Sequence, residues 1–229
     1  DFNSHESPAG GVDEAGYLAA LEADLEAALP LVWGRTVQTI FIGGGTPSLF
    51  SPEGIDRLLA SLRARLPVAA GAEVTMEANP GTFERERFGG YRDAGINRLS
   101  LGIQSFDDAE LLFLSRRHNA REANDAVKRC QQHGFNNISI DLIYGLPGQS
   151  LTVWQRNLEQ ALALDIQHIS SYHLIYEERT RMYRLLKAGK ITPVMEETST
   201  EMFAMLIDRL TADGFVHYEI SAFGKEGLF

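Results

Sequence analysis

Phe41-Ile42-Gly43-Gly44-Gly45-Thr46-Pro47-Ser48 places three consecutive glycines at the end of a β-branched, apolar run, Val37 to Ile42. Glycine loses more conformational freedom on folding than any other residue, so three together do not serve stability. They allow positive φ and let peptide N–H and C=O groups approach a small molecule closely. A sharp strand-to-helix turn would account for one or two of them. The run lacks the lysine of a Walker loop and the GxGxxG spacing, so neither familiar mode of nucleotide phosphate binding is indicated.

Outward from this run, strand and helix patterns alternate. Tyr17, Leu18, Leu21, Leu25 and Leu29 recur at helical spacing before the first strand. Ser51 then Pro52 reads as an N-cap with proline at the first helical position, and Ile55, Leu58, Leu59, Leu62 and Leu66 form one apolar face. Further strands are expected at 73–78, 98–103, 138–144, 168–175 and 215–220. Helices are expected at about 83–94, 120–133, 151–164 and 195–212, with Gly95 and Gly134 as stops. The 138–144 run is almost uniformly apolar, which predicts burial on both faces.

Such alternation argues for a parallel sheet with right-handed crossovers, either doubly wound or a barrel. Glu77, Gln104, Asp141 and the glycine run each close a strand. Polar groups at the ends of successive strands ring one opening in a barrel, whereas an open sheet forms a pocket only at its switch point. The expected fold is therefore α/β, a partial β/α barrel over residues 1–178. Residues 179–229 depart from the repeat, with two helices before the last strand, and read as the start of a C-terminal α+β extension.

Composition narrows the function. The 229 residues are 44% hydrophobic, enough for a full core, and carry a net charge of -10. That charge argues against a nucleic-acid surface and for a small molecule or a protein as partner. One cysteine, Cys130, rules out an internal disulfide framework, and no apolar run is long enough for a signal segment or a membrane span, so a cytoplasmic protein is expected. Cys130 lies among Lys128, Arg129 and Gln131 in a helical stretch and reads as an incidental thiol. His5, His118, His133, His168, His173 and His217 show no metal-ligand spacing and read as structural.

Asp141 interrupts the apolar strand Ile138-Ser139-Ile140-Asp141-Leu142-Ile143. A buried carboxylate is paired, hydrogen-bonded or used on a ligand. Either a salt bridge to Arg98 or Arg116 or a ligand contact satisfies that need. Glu77 reads either as a second ligand carboxylate or as a solvated loop residue.

GGGTPS at 43–48, EANPGT at 77–82, NRLSLGIQSF at 97–106, DLIYGLPGQ at 141–149 and HYEIS at 217–221 occur together in this order. The chain thereby resembles the radical SAM proteins related to oxygen-independent coproporphyrinogen III oxidase. Asp1 to His5 resembles the segment just after the CxxxCxxC cluster loop in the heme chaperone branch of that family. The resemblance implies a (β/α)6-type radical SAM core that binds S-adenosylmethionine, a 4Fe-4S cluster and, in the chaperone branch, heme destined for an acceptor protein. It also implies that the first barrel strand and the cysteine loop lie ahead of Asp1, leaving Val37–Ile42 as an unpaired edge. A histidine-containing segment of the chaperone branch would lie beyond Phe229.

Within the resemblance, Gly44, Gly45 and Thr46 hold the aminoacyl part of S-adenosylmethionine and Glu77 contacts the same molecule. Gln104, Arg116 and Asp141 match residues that line a second S-adenosylmethionine in the oxidase branch, where Ile175 replaces an alanine and would narrow that site. The single cysteine cannot hold the cluster. Two other functions remain open: porphyrinogen oxidation, and a barrel in which Glu77 and Asp141 do ordinary acid-base work.

Overall fold

Side chains alternate across a strand with period two, and in this chain the alternation separates apolar from polar residues. The computed structural model describes residues 13–228, with residues 82–85 described by backbone alone. Five parallel strands, β1 (Val37–Ile42), β2 (Val68–Ala78), β3 (Arg98–Gln104), β4 (Ile138–Tyr144) and β5 (His168–His173), follow one another in order. Val74, Met76, Leu99, Leu101, Ile138, Ile140 and Ile169 point to one side and are buried in the core. On the other side the register sets Thr75 beside Arg98, Glu77 beside Ser100, Ser100 beside Ser139, and Asp141 beside Ser170. The sheet curls into a half-barrel with its polar side inward, so the partial barrel read from the sequence is the fold. β4 is largely buried on both faces as expected, but its inward face carries Ser139 and Asp141 beside Ile143.

The crossovers are α2 (Pro52–Arg65), α3 (Thr82–Ala94), α5 (Ala120–Gln132) and α6 (Leu151–Leu162), which pack on the apolar side; α1 (Glu14–Val32) precedes β1, and the short α4 (Asp108–Phe113) follows β3. The expected signals operate: the Ser51 hydroxyl accepts the Gly54 N–H at the start of α2, and Gly95 ends α3 in the left-handed conformation. Glu14 fastens α1 to this corner by accepting the Ser51 N–H at 2.6 Å. Asn97 performs a similar task between strands, accepting the Val74 N–H at 2.7 Å and donating to the Ala72 carbonyl at 2.9 Å.

Two expectations need correction. The last strand, expected over 215–220, is a hairpin of β6 (Phe215–Glu219) and β7 (Ala222–Lys225), reached through α7 (Arg181–Lys187) and α8 (Glu196–Ala212). It is β7 that pairs with β5, antiparallel, with Ile169 opposite Phe223. No Asn-Gly or Gly-Gly pair marks the turn; instead the Glu219 carboxylate accepts the Ser221 N–H at 2.9 Å and closes it. β2 also begins at Val68, five residues ahead of the expected start, because Val37 is paired with Val68 before a register shift. β1 forms the edge of the sheet among the described residues, and its Phe41 is 64% exposed. Asp1 to His5 lies outside the described residues.

The glycine run is held from behind. The buried Tyr91 of α3 donates its hydroxyl towards the carbonyls of Ser48 and Phe50, both at 2.8 Å, and Arg87 donates to the Leu49 and Phe50 carbonyls at 2.9 and 2.8 Å. Tyr91→Phe keeps the ring and removes the bond to the Ser48 carbonyl, while Arg87 still serves that of Phe50. It should lower stability by about 1–2 kcal/mol in urea denaturation, whereas a loss below about 0.3 kcal/mol would mean that water replaces the hydroxyl.

Candidate functional site

The inward side chains nearest the carboxyl ends of β2 to β5 form the candidate site, which is where parallel β/α folds place their ligands. Its first wall is the glycine run after β1. Gly44 and Gly45 have φ of 82° and 27°, and a Cβ on either would point into open space. Backbone conformation therefore selects glycine there, and the space in front of both peptides is free. The Gly44 N–H donates to the Glu77 carboxylate at 3.1 Å. Glu77 is thus no freely solvated loop residue: it fixes the glycine turn. At Gly43 a Cβ would meet the Phe41 ring and the Glu77 carboxyl carbon at 3.1 Å, so a side chain there would have to displace them. Thr46 is half-buried and leads into the 3-10 turn Pro47–Leu49.

Asp141 projects from the middle of β4 into the half-barrel. Burial, and then the nearby Glu77 charge, push its carboxyl up to about 6, while the hydroxyls of Ser100 and Ser170 and the Arg116 guanidinium pull the other way. The Ser100 hydroxyl stands 3.4 Å from Asp141 Oδ1. The salt bridge that would have explained Asp141 as structural does not form. Arg98 is engaged with Glu73 at 3.0 Å, and Arg116 donates only a long 3.5 Å bond to Asn79 Oδ1. Burial lowers the Arg116 pKa and Asp141 raises it, so the two act on one another through space.

Gln104 ends β3 with φ of 70°, left-handed for a residue with a side chain, and is almost fully buried. Its amide nitrogen lies 3.0 Å from where a Gly102 Cβ would be, so Gly102 leaves the room that Gln104 fills. The structure accordingly brings Glu77, Gln104, Arg116 and Asp141 to one side of the sheet, and Gly44 joins them through Glu77. Ile175 is exposed beyond the end of β5.

Sequence reasoning missed Asn79, Ser100, Gly102, Ser170 and Tyr172. Their signal was available as alternation, since Ser100 and Gly102 break the run Leu99, Leu101, Ile103, and Ser170 and Tyr172 share the inward face of β5. Burial raises the Tyr172 hydroxyl pKa, which the Ser170 hydroxyl lowers and the Asp141, Glu219 and Glu77 charges raise. Among the histidines, His118 Nε2 bonds the Ile103 carbonyl at 3.0 Å, and His217 stacks on Phe223. Cys130 is sealed in the core and burial pushes its thiol pKa upward, so it is an inert packing residue.

Two carboxylates, a guanidinium, a carboxamide, hydroxyls and an exposed glycine turn suit a ligand that is at once cationic, rich in hydroxyls and anionic at one end. S-adenosylmethionine has this character, with its sulfonium, ammonium, ribose hydroxyls and carboxylate. An iron–sulfur cluster does not fit these residues, because its ligands are thiolates and the one thiol is buried elsewhere. Among the described residues no group of His, Cys, Asp and Glu is arranged to hold a metal ion.

Comparison with known proteins places the fold in a family. Residues 8–160 match the radical SAM superfamily. Heme chaperone HemW of Escherichia coli (strain K12) is 43% identical over 229 residues, which is 99% of this chain and 59% of that protein. Heme chaperone HemW of Bacillus subtilis (strain 168) is 37% identical over 229 residues, 100% of this chain and 60% of that protein. The chain therefore spans about three fifths of the length of these curated relatives. Among solved structures, coproporphyrinogen III oxidase (HemN) from Escherichia coli, described as a radical SAM enzyme, superposes with a TM-score of 0.80 at 26% identity, covering 93% of this chain and 49% of that one. With a half-barrel fold, a polar rim at its strand ends and a family match across two thirds of its length, the chain belongs to the radical SAM superfamily, among its HemW-like members.

Proposed function

We propose that the full-length protein is a radical SAM heme chaperone, which binds S-adenosylmethionine, a 4Fe-4S cluster and heme and passes heme to an acceptor protein. The observation that carries this reading is the 43% identity to a heme chaperone along the whole chain. Membership of the superfamily implies S-adenosylmethionine and a 4Fe-4S cluster; heme rests on the chaperone relatives. S-adenosylmethionine at a reduced cluster supplies one-electron chemistry. The cluster thiolates must come from outside these 229 residues, and residues 179–229 would begin a second subdomain. No helix among the described residues is long and apolar enough to cross a membrane, which is compatible with a cytoplasmic protein.

The roles of the chain's own residues follow from their chemistry. Gly44 and Gly45 offer peptide groups in an open turn, and Glu77 holds that turn while keeping lone pairs for the ligand. Asp141, ionised at neutral pH, would attract the cationic part or accept from ribose hydroxyls. Arg116 would take an anionic group, and Gln104 would orient the ligand by its carboxamide. Thr46 would close the aminoacyl end.

A second reading, oxygen-independent coproporphyrinogen III oxidase, is favoured by the structural likeness to HemN. Nucleic acid has no place in either reading, given the net charge of -10.

The test uses the full-length protein with its cluster reconstituted anaerobically. Stable heme binding and transfer, without conversion of coproporphyrinogen III, is the expected outcome; conversion to protoporphyrinogen IX would replace the chaperone by the oxidase.

Asp141 allows a sharper check. Its folded-state pKa of about 6 lies above the ordinary value of 3.8. The stability contributed by the protonated form is therefore full below the ordinary value and lost as pH rises through about 6. Asp141→Asn, fixed in the neutral form, should exceed the wild type in unfolding free energy at pH 8 by on the order of 1–3 kcal/mol and equal it at low pH. The same variant should bind S-adenosylmethionine more weakly at pH 7. Wild-type affinity should fall roughly tenfold from pH 7 to pH 5, and the variant should show no such dependence. A variant that is both less stable and unchanged in affinity would remove Asp141 from the site.

A further inference from the structure

Below the rim lies a buried polar cluster that takes no part in the ligand contacts described above. It joins the residues after β3 to α4 and α6, beside the turn after β4. The Ser105 hydroxyl, directly after Gln104, donates to the Glu110 carboxylate at 2.5 Å and accepts the Asp107 N–H at 2.9 Å. Asn157 of α6 accepts the Phe106 N–H at 2.5 Å and donates to the same carboxylate at 3.0 Å. Gln149 accepts the N–H groups of Gly145 and Leu146 at 2.8 and 3.4 Å. Burial raises the Glu110 pKa, which the side chains of Ser105, Gln149 and Asn157 lower. Ser105, Glu110, Gln149 and Asn157 are all buried.

A carboxylate in such a place is costly unless it fixes something, and three consecutive residues after Gln104 are the ones fixed. Gln104 itself is held at φ of 70°. A left-handed conformation at a residue with a side chain persists only where the surroundings impose it. The surroundings here are the Ser105–Glu110–Asn157 bonds, because the Ser105 N–H turns back to the Ile103 carbonyl at 2.9 Å and the next two residues are tied down by Asn157 and Ser105.

We propose that Glu110 is a positioning residue that, through Ser105 and Asn157, holds Gln104 in its left-handed conformation and so aims the Gln104 carboxamide into the S-adenosylmethionine site. The inference rests on the reading of Gln104 as a ligand residue. Glu110 reaches no ligand itself; it acts through the main chain of residues 104–107. Gln149 holds the turn Gly145 to Gln149 through its own carboxamide oxygen.

The test is a double-mutant cycle on the full-length, cluster-loaded protein, read as the equilibrium affinity for labelled S-adenosylmethionine. Gln104→Gly removes the carboxamide and adopts positive φ without strain. Glu110→Leu removes the lock, and Ser105→Ala, which deletes only a hydroxyl, replaces it should Glu110→Leu fail to fold. Each single change should weaken binding by about tenfold, while Glu110→Leu or Ser105→Ala added to Gln104→Gly should weaken it no further. Glu110→Gln, which keeps an acceptor for Ser105 and Asn157, should stay within about twofold of the wild type. If the lock variant and Gln104→Gly multiply in effect, Glu110 does not act through Gln104 and the inference falls while the ligand site stands. If Gln104→Gly alone leaves affinity unchanged, the assignment of Gln104 to the site falls, and the inference with it.

Discussion

A carboxylate held inside the half-barrel with no cation beside it is the constraint on which the site depends. Asp141 has hydroxyls and a distant guanidinium for company, and Glu77 nearby adds repulsion. Nothing in the packing of the sheet requires a charge there, since the neighbouring inward positions are serine and the outward ones are isoleucine and leucine. An apolar or neutral residue would make a more stable strand. The position is intelligible as one at which the folded protein is less stable than it would otherwise be, and at which a cationic or hydroxyl-bearing ligand restores the lost solvation.

The rest of the molecule keeps that opening in shape. Tyr91 and Arg87 of α3 hold the carbonyls that follow the glycine run, so the run is anchored on its far side while its near side stays open. Glu77 ties the Gly44 peptide to β2. On the opposite wall, Glu110 and Asn157 tie the residues after β3 to α4 and α6, and Gln149 closes the turn after β4 from within. The rim is thus made of loops, as binding sites usually are, but each is secured by a side-chain bond, which limits how far the peptide groups can drift.

The fold was legible because its strands are strongly patterned and its stops are chemical: Ser51 and Gly95 end or begin helices by bonds that follow from residue type alone. The rim was legible in part. Glu77 and Asp141 stand out as charges on apolar strands. Ser100 and Ser170 do not, because serine is common on any surface and its inward placement depends on a register that only strand pairing defines. The left-handed conformation of Gln104 was invisible for a like reason. It is imposed by Glu110 and Asn157, 6 and 53 positions further along the chain, and not by any preference of glutamine. The β6–β7 hairpin was read as one strand because its turn is closed by the Glu219 side chain, without the residues that mark tight turns.

The polar side of the sheet has two layers, which differ in how their charges are held. In the layer towards the strand starts, Arg98 meets Glu73 at 3.0 Å, Thr75 and Asn137 also bond Glu73, and His168 lies between Ser139 and Tyr218 at 2.8 and 2.7 Å. Burial pushes the His168 pKa down to about 4, so the imidazole is neutral and the only charges left are the paired ones. That layer behaves as a polar core whose charges are paired, although Arg98 Nε and Asn137 Oδ1 are left without a partner, and it joins the hairpin to the sheet through Tyr218. In the layer towards the strand ends the charges are those of Glu77, Asp141 and Arg116, and no two of them form an ion pair. Since both layers are built on the same strands, strand geometry does not explain the difference. The difference lies in the charges: below they are paired within the protein, whereas above they are left for something else to neutralise, which is the character expected of a ligand site.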